Sequence, residues 1–219
     1  MDLAFLALLG GLLTLDGTSV GQFMVSRPLV AGVFTGWVVG DPALGLLVGG
    51  MLEVYFISMF PVGGAHFVEG GPSTLVGVVA AAGLGGPGGV ALGTLLGLVW
   101  SQLAARSIRI RRKVNGRIVP DPSLPGVSPR HVVLGHLGAV GLDFVRGVLL
   151  TLLGLVVGGW LARTLEGLWP IGATETYALL AVGASIPAGA LVASLGGWKR
   201  RRVVLGVGFL ATLLGSILL

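Results

Sequence analysis

The sequence predicts an all-α integral membrane protein, a multi-span helical bundle with broken or re-entrant helices in its N-terminal half. Three observations carry this. The chain of 219 residues is 54% hydrophobic and only 11% charged, whereas a soluble domain carries roughly 25% charged residues, so there are too few charges to cover a water-facing surface. The charges that exist are concentrated in two basic clusters. The apolar runs of the first half are short and separated by polar, Gly/Pro-rich breaks.

Taken in order, the N-terminus, MDLAFLALLGG, has no Lys or Arg ahead of its apolar run. It lacks the positive n-region of a secretory signal and is expected to belong to the mature protein. Leu3 to Leu15 would form a helix of roughly 20 Å, short of the ~30 Å hydrocarbon core. The break LDGTSVGQFMVSRP, Leu15–Pro28, follows. Leu29 to Val39 is shorter still. Asp41 is placed to cap a new helix with Pro42 at its first position, and that helix is expected to run to about Phe60. A second break, PVGGAHFVEGGPS, spans Pro61–Ser73, and an apolar run over about 74–85 completes the half.

The second half has cleaner spans, expected at about 87–105, 131–165, 175–195 and 203–219. Of 14 Lys and Arg, seven lie in 106–130 and four in the sequence WKRRR, residues 198–202; Arg27, Arg146 and Arg163 lie elsewhere. By the positive-inside rule both clusters are cytoplasmic. The two spans between them return the chain to the same side, so the assignment is self-consistent. The chain is read as one transmembrane domain over 1–219, with interrupted helices over 1–105, a cytoplasmic basic loop over 106–130 and helices over 131–219. A net charge of +5 placed in this way argues for membrane topology and lipid contact rather than nucleic acid. Cysteine is absent, which excludes disulfide and thiol chemistry from this chain. The 40 glycines suit helices that approach closely in a membrane.

The two breaks are the candidate site. Irregular backbone at membrane depth persists only where protein buries it or where it lines a cavity. In transporters, short interrupted segments point to the substrate. Asp16, Ser19 and Gln22 in the first break, and His66 and Glu69 in the second, offer donors and acceptors to a hydroxylated ligand. Glu53 stands alone in GLLVGGMLEVYFISMF, where a carboxylate is costly unless it is paired, protonated or facing water. It is either a ligand or proton contact, or a structural partner of the broken backbone or of Arg27. His136, Asp143 and Arg146 share one helix face, and the last two can neutralise each other as i, i+3 neighbours. His66 and Glu69 are too few for a metal site. No phosphate-binding loop, nucleophile elbow or zinc signature is present, so no catalytic residue, cofactor or metal is assigned.

The segment LDGTSVGQFMVSRPLVAGVFTGWVVGDPALGLLVGGMLEVYFISMFPVGGAHFVEGGPSTLVG resembles the N-terminal half of IIC subunits of the mannose/fructose/sorbose type of bacterial sugar phosphotransferase system. The matching elements are LD, RPL, GD followed by G, GG-x-LE, and G-A followed by an acidic residue and a small-residue helix. They keep their order over roughly 60 residues. His136 to Arg146 resembles the family's His and Arg at the same separation. The C-terminal segments match in hydropathy only, and the chain is shorter than typical members.

The resemblance implies a permease component in the bacterial inner membrane, assembled with a IID membrane subunit into a higher oligomer that forms the path for a hexose-type sugar. Cytoplasmic IIA and IIB proteins would carry the phosphoryl group and dock on the basic loops; IIC itself would carry none and is not an enzyme. Asp16, Arg27, Asp41, Glu53 and Glu69 are the positions that match. Gln22, Glu53 and Glu69 are expected to contact sugar; Asp16 and Arg27 either do so or hold the break together; Asp41 is a helix cap. The alternatives are an ion-coupled carrier with Glu53 as the proton site, or a scaffold without substrate.

Overall fold

A computed structural model describes residues 2–57, 68–194, 196, 202–203 and 206–207. Seven helices occupy them: α1 Leu3–Thr18, α2 Pro28–Val39, α3 Pro42–Phe56, α4 Gly70–Leu84, α5 Gly86–Ile118, α6 Pro129–Leu165 and α7 Ala173–Ser194. The protein is an all-α membrane protein. Among the described residues, α5 and α6 are long and apolar enough to cross a bilayer. At 12 to 16 residues, α1 to α4 are each about 18–24 Å long and fall short of the ~30 Å hydrocarbon thickness.

The sequence signals that start and stop these helices work as written. The Asp2 carboxylate accepts from the amides of Ala4 and Phe5 at 2.9 and 3.2 Å and caps α1. Pro28 opens α2, and Gly40, at φ 88°, closes it in the left-handed conformation that glycine adopts without a Cβ penalty. Asp41 accepts from the Leu44 amide at 2.9 Å, and Pro42 takes the first position of α3. Gly40 and Asp41 alone therefore join α2 to α3. Gly85 similarly turns α4 into α5.

Small residues set how the helices meet. A Cβ on Gly32 would stand 2.4 Å from the Gly45 carbonyl oxygen, and one on Gly45 would stand 2.2 Å from that of Gly32, so α2 and α3 are in backbone contact. Gly77 and Gly93 do the same for α4 and α5. Gly147 of α6 receives Thr14 of α1, and Gly10 of α1 receives Thr151 of α6. With no hydrophobic drive between helices in lipid, such close approach supplies the packing energy. α4 sits in the middle, packed on α1, α2, α3, α5 and α6, and is buried from Gly71 to Ala81.

Two boundaries differ from expectation. α3 ends at Phe56 rather than near Phe60, and residues 58–60 lie outside the described ones. More consequential, 106–118 is not loop: α5 runs on to Ile118, and only 119–128 links it to α6. The stretch RSIRIRRKVNGRI is rich in Arg and Lys, which are good helix formers. Ala104 and Ile108 are buried, and Arg111 follows on the same face with its side chain 13% exposed, while Arg106, Arg109, Arg112, Lys113 and Arg117 are exposed. Density of charge hides this periodicity. Of the second basic cluster, Lys199, Arg200 and Arg201 lie outside the described residues, as does the expected span from Val204 onward apart from Gly206 and Val207.

Candidate functional site

The C-terminal end of α1, the first turn of α2, the last turn of α3 and the first turn of α4 converge on one cleft of about 130 Å³. Its polar lining is Ser26, Arg27, Glu53 and Glu69, with Gly17, Gly70 and Gly71 exposing backbone between Leu13, Pro28, Phe56 and Val68. Gly70 and Gly71 are glycine for a packing reason: a Cβ would lie 2.9 Å from Pro28 Cγ or from Leu13 Cβ, respectively. No side chain caps α4, so its first amides bring partial positive charge to the cleft.

Glu53 reaches this cleft from α3. It pairs with Arg27, and its second oxygen accepts from the Leu29 amide at 3.3 Å. A carboxylate at the start of α2 complements that helix's dipole. The Arg27 side chain is 42% exposed and that of Glu53 17%, so solvent screening keeps the pair's contribution modest. The ion pair foreseen as one alternative for Glu53 is therefore present, and Glu53 still lines the cleft.

Glu69 is held from behind. Arg146 donates to both of its oxygens, at 2.8 and 3.0 Å, to the Ser107 hydroxyl at 2.7 Å and, through Nε, to Asp143 Oδ1 at 2.9 Å. Asp143 is fully buried. Its Oδ2 accepts from Thr18 and Ser19 at the end of α1; Arg111 Nε lies 3.0 Å from its Oδ1. Two carboxylates and two guanidiniums thus neutralise each other where α1, α4, α5 and α6 meet. That balance is what makes burial of four charges tolerable.

The first break is shaped by Asp16. Its two oxygens accept from the amides of Phe23 at 2.6 Å and Ser26 at 2.7 Å, folding residues 19–27 back on α1. Gln22 and Met24 have positive φ, 55° and 65°, which non-glycine residues adopt only when the surroundings impose it.

Among the residues singled out from sequence, Glu53, Glu69 and Arg27 therefore line the cleft together. Asp16 and Ser19 are committed elsewhere, Asp16 to the backbone of the break and Ser19 to Asp143. Gln22 is exposed and lies outside the cleft lining. Asp41 caps α3, as expected. The expected Asp143–Arg146 pair is present. His136, a stripe mate by angle, lies about 10 Å further along α6 and is exposed. His66 lies outside the described residues. Arg111 and Ser107 were missed, because their segment reads as loop; the signal that finds them is the i, i+3, i+4 spacing of Ala104, Ser107, Ile108 and Arg111.

A larger cavity, about 530 Å³, lies where the α2–α3 and α4–α5 turns meet the start of α7. Its lining is mainly apolar. Of its polar side chains, Asp41 and Thr176 already serve backbone atoms, those of Leu44 and of Pro87 and Gly172, and Tyr177 is exposed. Recognition of a hydroxylated ligand needs convergent polar groups, and the smaller cleft has them.

Fold and site together define a helical membrane protein with helices broken around a charged cleft. The family model described as the PTS system sorbose-specific IIC component matches residues 1–114, which is over half of the chain. The chain belongs to this family, and it is a sugar-transport IIC component of a phosphotransferase system. A solved structure described as "Structure of membrane protein" is similar with a TM-score of 0.62 at 17% identity, over 98% of this chain and 92% of that one; at that identity the likeness concerns the fold alone. No curated protein sequence matches.

Proposed function

We propose that the chain is a mannose-type IIC subunit whose cleft at the broken-helix tips binds a hexose-type sugar through Glu53 and Glu69. With a IID membrane subunit it forms the translocation path, in a higher oligomer in the bacterial inner membrane, with 106–130 and 199–202 on the cytoplasmic side. IIA and IIB partners phosphorylate the sugar as it enters. The observation that carries this reading is the convergence of Arg27, Glu53, Glu69 and the uncapped start of α4 on one cleft. Carboxylate oxygens accept from sugar hydroxyls, and an arginine and free amides donate to them. The cleft volume equals that of about four waters, enough for one edge of a sugar ring, with the partner subunit supplying the rest of the enclosure.

The test is sugar binding by E53Q and E69Q in membranes that also contain the co-expressed partner. Each substitution removes a charge and keeps the shape. Binding is expected to fall at least about tenfold, the loss of one charge-assisted hydrogen bond, while the partner still co-purifies. Wild-type affinity in both variants would sink the assignment.

A further inference from the structure

We propose that Arg111 is a positioning residue of the cleft: by sharing the Asp143 carboxylate it leaves Arg146 free to grip Glu69 with both terminal nitrogens. The inference rests on the cleft being the sugar site. Asp143 Oδ2 is taken by Thr18 and Ser19. Its Oδ1 faces two cations, Arg146 Nε at 2.9 Å and Arg111 Nε at 3.0 Å. Arg146 spends only Nε on Asp143, so its fork points Nη1 and Nη2 at Glu69. The guanidinium is rigid and planar, so its direction fixes where the Glu69 carboxylate lies.

Without Arg111, one guanidinium serves two carboxylates. Asp143 is its i, i+3 neighbour on the same helix, and Arg146 is then drawn onto it. A bidentate hold on Asp143 turns the fork away from Glu69, which loses its anchor in the cleft wall. Arg111 Nε, close to Asp143, lacks the alignment of a hydrogen bond. Its influence on Asp143 is therefore that of a nearby charge, which lysine also supplies. The role predicts a compensation: if Asp143 is neutralised as well, Arg146 has a single carboxylate again and returns to Glu69.

The experiment measures equilibrium binding of tritiated sorbose, mannose and fructose to the full chain in membranes that also contain the co-expressed partner. For whichever sugar the wild type binds, R111Q is expected to weaken binding at least about tenfold. R111K and R111Q/D143N are expected to stay within about threefold of wild type. A residue that merely supports folding gives lower yield with unchanged affinity and no recovery from a second substitution. Wild-type affinity in R111Q alongside loss in E69Q overturns this inference and leaves the cleft standing. Wild-type affinity in E53Q and E69Q overturns both. If R111Q does not accumulate, the double variant decides: near-wild-type affinity supports the positioning role, and weakened binding overturns it.

Discussion

Arg146 is the hub of the buried charges, and R146M measures what the hub holds. Methionine keeps length and apolar bulk but removes the charge. Arg146 makes three hydrogen bonds to carboxylates, one to Asp143 and two to Glu69. Adding them at 1.5–3 kcal/mol each would give about 4.5–9 kcal/mol, but that sum overshoots, because an orphaned carboxyl can bind a proton instead. For an ordinary glutamate this costs about 3.7 kcal/mol at pH 7, from 2.7 pH units at 1.36 kcal/mol each. The electrostatic loss is therefore capped near 4 kcal/mol, within the range for breaking a buried pair. In a chain of this size that lowers Tm by about 7–15 °C.

Thermal melting in mild detergent at pH 7 is the assay. A Tm within about 2 °C of wild type would show that the buried cluster is not coupled as described.

Three further predictions follow from packing and backbone. G32A forces a methyl against the Gly45 carbonyl and Gly49 Cα; backbone cannot step aside, so a loss of about 1–3 kcal/mol is expected, whereas G141A and G159A, which meet nothing within 4 Å, should be neutral or gain up to about 1 kcal/mol, all read as Tm. D16A frees the amides of Phe23 and Ser26; hydrogen exchange over 19–27 should accelerate, and unchanged protection would refute the staple. K113P, placed on an exposed position of α5, should cost about 3 kcal/mol because proline breaks a helix interior, and full tolerance in the melting curve would mean that the segment is loop after all.

Much of the architecture is legible from local signals. Asp41–Pro42 opens α3, Gly40 closes α2 and Pro28 opens α2, because caps and φ restrictions act within a few residues. The spans near 87–105 and 131–165, and the helix α7 where a span over 175–195 is expected, follow from apolar length alone. The carboxylates at 53 and 69 stand out because a charge within an apolar run demands an explanation. The basic stretch 106–118 was misread because charge density signals water exposure. The sequence does not display what lies across from Ile108 and Arg111.

The sequence by itself determined the class of protein, the short broken helices and the polar residues worth attention, since these depend on hydropathy, chain length and neighbours along the chain. Only the tertiary structure decided what each polar residue does. Asp16 and Ser19 look as suited to a ligand as Glu53, yet Asp16 is spent on backbone amides and Ser19 on Asp143. Glu69 meets Arg146 across 77 positions of sequence, and Arg111 reaches Asp143 from another helix. Charge pairing acts over a few ångströms of space, and which charges come that close is set by how glycine-lined helices dock, not by any local pattern.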